Sequence, residues 1–136
     1  GKESSATTKV TIVSASAPSV VLQYPGGGEK WKIGSTEYIS WHSVNAPSNG
    51  WAALFLQPTG EFIAQGLPIA GAQAWTISDT CCRGDVCGSK REPGNKYKVE
   101  VRLYTGPSLC VGLCPLGPQP NLITSDESDS PFSIVQ

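Results

Sequence analysis

Several groups of residues in this chain are of types that do chemistry. Five cysteines stand at Cys81, Cys82, Cys87, Cys110 and Cys114. Arg83, Gly84 and Asp85 spell RGD inside the first cysteine cluster, the string that integrin-binding loops present. Asp126, Glu127 and Asp129 crowd three carboxylates into "SDESDSPF", a set of hard oxygen donors suited to calcium. Gly26, Gly27 and Gly28 sit in "YPGGGEKWKIGSTEYISW", where a glycine run beside charge invites comparison with a phosphate cradle. His42 is the only histidine.

Each signal has a plainer competitor. A phosphate cradle needs a strand, a glycine turn and a helix whose N-terminus faces the anion. The residues after the glycines are strand-like, with a second turn at Gly34-Ser35, so the run reads as a hairpin turn that needs positive φ. No orienting acid or second ligand accompanies His42 in sequence, so neither a hydrolytic triad nor a zinc site is expected there. The three acids fit a turn with side chains capping backbone N–H groups better than a calcium site. RGD is a short string of common residues and arises by chance.

Metal spacing is near at hand for the cysteines, with four residues between Cys82 and Cys87 and three between Cys110 and Cys114. Zinc ribbons favour two-residue knuckles, whereas a weakly charged chain rich in glycine and proline fits disulfides in an oxidising compartment. The odd count leaves one thiol over.

The elements that must position these residues are strands. Charged residues make up 15% of the chain and the net charge is −1, which excludes the basic footprint of a nucleic-acid binder and electrostatic attachment to anionic lipid. No apolar run approaches the ~18 residues that span a bilayer. The 136 residues suit one domain, and the absence of Met reads as a processed product or an excised fragment.

Eight stretches read as strands: "TTKVTIVSA", "APSVVLQYP", "GSTEYISWH", "GWAALFLQP", "EFIAQG", "AQAWTIS", "NKYKVEVRLY" and "SPFSIVQ". In the seventh, Tyr97, Val99, Val101 and Leu103 alternate with Lys96, Lys98, Glu100 and Arg102, the pattern of a half-buried antiparallel strand. Strands with no helix predict an all-β sandwich. Two long loops are expected, roughly 79–94 and 105–130, and they carry the cysteines. A strand of ~30 Å between them puts the loops at opposite ends, beyond the ~7 Å that disulfide Cα atoms allow. The expected pairs are Cys110 with Cys114, and Cys87 with either Cys81 or Cys82.

The order of these features resembles the immunoglobulin-like domain of the Ser/Thr-rich, GPI-anchored fungal cell-wall family of the killer-toxin-resistance type, and its bacterial surface-protein relatives. Gly27, Gly28, Glu29, Trp31, Gly34, Ser35, Ile39 and Trp41 match the family's opening pattern, Gly26 stands where Asn is usual, and the match runs from Val20 to Ile134. The resemblance implies an immunoglobulin-like or fibronectin-III-like antiparallel sandwich of 7–8 strands at residues 17–136. It implies an extracellular or cell-surface address and carries no catalytic site. Residues 1–16 read as an N-terminal strand or linker, or as the tail of a preceding domain.

The family pattern turns Ala52, Leu54 and Leu56 inward. Trp51 and Phe55 then face out, where an aromatic stacks on sugar rings or lies under a loop. The expected function is a non-catalytic module for adhesion, assembly or spacing. Its alternatives are a carbohydrate-binding module on a glycan-active enzyme and a filament subunit that donates its N-terminal strand. The expected partners are cell-wall polysaccharide, other surface proteins or further copies of the chain, with no nucleic acid, no membrane insertion and no cofactor beyond the calcium candidate.

Overall fold

Alternating sequence becomes alternating burial along two long strands, and these set the layers. A computed structural model of the chain describes residues 17–83, 86–110 and 117–136. Its elements are β1 (Ser19–Tyr24), β2 (Lys30–Lys32), β3 (Thr36–Val44), β4 (Trp51–Gln57), β5 (Glu61–Leu67), β6 (Gly71–Thr76), β7 (Thr80–Arg83), β8 (Val86–Lys90), β9 (Gly94–Thr105), β10 (Asn121–Glu127) and β11 (Phe132–Val135). The larger sheet runs β2-β11-β9-β4-β5, with β10 also paired to β9, and the smaller runs β1-β3-β6. The described residues are all-β, and the two sheets make a β-sandwich.

Val99, Val101 and Leu103 of β9 and Ala52, Leu54 and Leu56 of β4 point inward from the larger sheet. Val20, Leu22, Ile39, Trp41 and Trp75 meet them from the smaller one. Trp31, Trp41 and Trp75 are all buried, and the Trp41 Nε1–H donates to the Pro68 carbonyl at 3.0 Å.

Three features differ from the sequence expectation. Lys30–Lys32 and Thr36–Val44 do not form a hairpin with each other; β2 lies parallel to β11 in the larger sheet, while β3 belongs to the smaller. The turn between them carries the chain from one sheet to the other. The loop expected at 79–94 holds an antiparallel pair, β7 with β8. The loop expected at 105–130 is shortened by β10, whose mixed polar sequence hides its pairing with β9. The N-terminal stretch "TTKVTIVSA" lies outside the described residues.

The glycine run is fixed by close approach. Gly27 has φ 132°, and a Cβ there would stand 2.4 Å from Ser130 Cβ. The Gly28 N–H donates to the Pro131 carbonyl at 2.9 Å, and the Ser130 N–H donates to the Gly26 carbonyl at 3.0 Å. Glu29 turns its carboxylate back on the run, accepting from the Gly26 N–H at 3.0 Å and the Gly27 N–H at 2.8 Å. The anion at this glycine loop is thus the chain's own. Replacing Gly27 by Ala is expected to destabilise the fold by about 2–3 kcal/mol through the clash and the positive φ together. Gly28→Ala, with no atom within 4 Å of the added carbon, is expected to cost less. Urea denaturation of the pair measures the difference.

At the opposite seam a charge pair is buried. Arg91 is 2% exposed and Glu61 6%. Arg91 Nη2 donates to Glu61 Oε2 at 2.8 Å, its Nε–H donates to the Ser78 carbonyl at 2.6 Å, and the guanidinium lies 5.8 Å from the Trp75 ring centre. One side chain therefore ties β5, β6 and the segment entering β7. Removing one partner of a buried pair leaves an uncompensated charge. Glu61→Ala is expected to lose about 3–5 kcal/mol, and adding Arg91→Met to recover part of it, read by thermal and urea unfolding.

Candidate functional site

The outer face of the larger sheet gathers the aromatic and charged side chains that the two long strands turn away from the core. Antiparallel register sets Trp51 opposite Tyr104, Ala53 opposite Arg102, and Phe55 opposite Glu100. Cross-strand neighbours on one face are close enough for side chains to touch. Trp51 stacks on Tyr104 with ring centres 4.9 Å apart and planes at 21°. Its Nε1–H donates to the Gly106 carbonyl at 3.0 Å. The Arg102 guanidinium lies 4.2 Å from the Phe55 ring centre, and Phe62 meets the edge of Phe55 at 5.9 Å.

Electrostatics hold the arginine over that ring. Arg102 Nη2 donates to Glu100 Oε1 at 2.9 Å, and Gln57 Nε2 donates to the same oxygen at 2.8 Å. Burial alone would lower the guanidinium's pKa, but hydrogen bonds to Glu100 and Tyr104 and the attraction of both outweigh it, and the pKa is raised. Arg102 is charged at every pH at which the fold is useful.

Trp51 and Phe55 both face outward, as the resemblance implies, yet neither offers a bare ring. Phe55 has a face taken by Arg102 and an edge met by Phe62, and Trp51 has a face taken by Tyr104. Gln65 of β5 pins the chain after β9: the Leu109 N–H donates to Gln65 Oε1 at 2.8 Å, and Gln65 Nε2 donates to the Leu109 carbonyl at 3.1 Å. The ladder Phe62, Phe55, Arg102, Tyr104, Trp51 is in large part self-satisfied. Its stacking partners Arg102 and Tyr104 are missed when each strand is read alone; aligning β4 against β9 would bring them to the aromatics.

The other candidates lie apart. Asp126 and Glu127 are consecutive on β10, and Asp126 Oδ2 accepts the Leu22 N–H of β1 at 2.8 Å. Among the described residues no three His, Cys, Asp or Glu side chains converge as metal ligands. Asp129 stands in the turn before β11, exposed. His42 stands across from Val21 on the smaller sheet. Arg83 closes β7, while Gly84 and Asp85 lie outside the described residues.

Cys110 is disulfide-bonded, and Cys114, its expected partner, lies outside the described residues. In the β7–β8 pair, Cys82 and Cys87 are Cα partners. Opposed residues of an antiparallel pair stand about 4.5–5.5 Å apart at Cα, inside the range a disulfide bridges. Non-reducing peptide mapping is expected to link Cys82 to Cys87 and to leave Cys81 as the odd thiol. A bridge from Cys81 to Cys87 would reverse that assignment.

A scan of protein-family models finds none that matches the chain, and searches of curated proteins and of solved structures return no match.

Proposed function

We propose that the chain is a non-catalytic extracellular module of a cell-surface or cell-wall protein, acting as a spacer and as an adhesion or assembly unit. The observation that carries this reading is the placement of the two ends of the sandwich chain. Ser19, at the start of β1, pairs with Val44 at the far end of β3. Val135, at the end of β11, pairs with Lys32 and accepts the Ile33 N–H at 2.8 Å, beside the turn that opens β3. The chain therefore enters at one end of β3 and leaves at the other, about 27 Å away for nine residues of strand. Copies joined in series through such ends line up as a rod.

The reading treats the sandwich as immunoglobulin-like. On that reading strands β1-β3-β6 would correspond to A, B and E, and β11-β9-β4-β5 to G, F, C and C′, and the observed strand orders are compatible with it. That correspondence supports the resemblance to the Ser/Thr-rich cell-wall family. The disulfide at Cys110 supports an oxidising, extracellular address.

Small-angle scattering of two copies fused end to end tests the spacer. The maximum dimension is expected to approach twice that of one copy. A fused pair that folds into a compact particle, or hydrolysis of a cell-wall polysaccharide by the single module, would overturn the reading.

A further inference from the structure

The edges of the two sheets are guarded unequally. A free edge strand is a template for another chain, and folded proteins blunt such edges with charge, short length or a cover. β2 is three residues long and carries Lys30 and Lys32. The far side of β1 is met by Asp126, whose carboxylate takes the Leu22 N–H. β5 is flanked by the Gln65–Leu109 clamp. Among the described residues β6 has none of these devices: it reads GAQAWT, six residues with no charge and no proline, and no described strand pairs with its far side.

The ground around β6 is equally unguarded. Its neighbour β3 sets Tyr38 across from Ala74 and Ser40 across from Ala72. Tyr38 is 63% exposed, and Val21 and Val44 of the same sheet are exposed as well. On the inner side, β6 and β5 border one seam, closed at one end by the 68–70 connection and at the other by Arg91 between Glu61 and Trp75. Along it Ile63, Leu67 and Ile69 pack on the core but are only partly buried. Gln73 is half-buried at that edge, its Nε2 donating to the adjacent Ala74 carbonyl.

The chain contains a segment suited to this seam. Residues 8–13, TKVTIV, place Val10 and Ile12 on one face of an extended strand, with no glycine or proline. We propose that residues 8–13 of one copy add as a strand to the β6 edge of a second copy, setting Val10 and Ile12 against Ile63, Leu67 and Ile69. Main-chain hydrogen bonds to β6 would supply affinity and the two apolar side chains the register, as in other strand additions.

Reach favours a second copy over the chain's own edge. From Val13 to Ser19 there are six steps, about 20 Å fully extended. A return to the chain's own β6 edge crosses three strand spacings, about 14 Å, and drops three residues, about 10 Å, from the level of Val44 to that of Trp41. That path is about 17 Å before it climbs over the strand ends, and it leaves almost no slack. A donor to the next molecule meets no such limit, and each copy keeps one donor and one acceptor, which is head-to-tail and open-ended.

The proposal deepens the module reading by naming its partner, and the two fail separately: the fused-pair scattering tests the spacer, and self-association tests the strand. The full chain is expected to show concentration-dependent oligomers by light scattering. Ile12→Asp, which spoils the donor, and Gln73→Lys, which points a charge into the acceptor, are each expected to be monomeric with an unchanged melting temperature. Mixed in equal amounts, they are expected to restore 1:1 pairs and nothing larger, since one intact donor meets one intact acceptor. In the unsubstituted chain, amide exchange at residues 8–13 and 71–76 is expected to slow together as concentration rises. A full chain that stays monomeric, oligomers that survive both substitutions, or protection of residues 8–13 in a monomer would each overturn the proposal.

Discussion

Trp31 has to be in two places at once, and much of the sandwich is arranged around that requirement. Its backbone is the middle of β2, paired parallel to β11 in the larger sheet. Its ring, 2% exposed, reaches across to the smaller one. It lies 4.8 Å from Phe132, 6.1 Å from Trp75 and 5.8 Å from Tyr24, counted between ring centres. Tilted and edge-on contacts of this kind add to the large area that a buried indole removes from water. The geometry needs a chain that leaves β1, turns within a few residues and runs beside β11. Gly27 and Gly28 supply the turn, and Glu29 neutralises the N–H groups it leaves unpaired. The indole N–H finds no partner among the described residues.

The other seam is held by different physics. Between β5 and β6 the core thins out, and the closure is ionic: Arg91 reaches Glu61, the Ser78 carbonyl and the face of Trp75. A buried pair adds little net stability compared with well-packed apolar groups, but its hydrogen bonds have direction. That direction fixes where the chain must cross on its way to β7. The sandwich thus has one seam sealed by aromatic rings and one pinned at a single point.

Alternation made the layers legible. Strands β3, β4 and β9 could be placed from inward Ile39 and Trp41, from Leu54 and Leu56, and from Val99 and Val101, because each faces water on one side and the core on the other. Partners across a distance were not legible. β2 is too short to show a period, and its pairing with β11 depends on an approach of Gly27 to Ser130 across about a hundred residues. β10 looks like a turn because Thr124, Ser125 and Asp126 lack apolar alternation. The candidate surface obeys the same rule. Trp51 and Phe55 could be named from one strand, whereas Arg102 and Tyr104 join them only through the register of β4 on β9.

Those differences also explain why the two outer faces behave differently. On the larger sheet, each aromatic ring has an intramolecular partner, and the guanidinium of Arg102 has both a ring and a carboxylate. Such a face gains little from a ligand that must displace contacts already made. On the smaller sheet, Tyr38, Val21 and Val44 are exposed, and no described strand pairs with the far side of β6. Backbone groups on an edge strand are satisfied by water at no gain, and by an incoming strand with burial of Ile63, Leu67 and Ile69 added to the hydrogen bonds. The free energy available for association is therefore larger along the β6 seam than on the aromatic ladder, although the ladder carries the residues that a search for chemistry finds first.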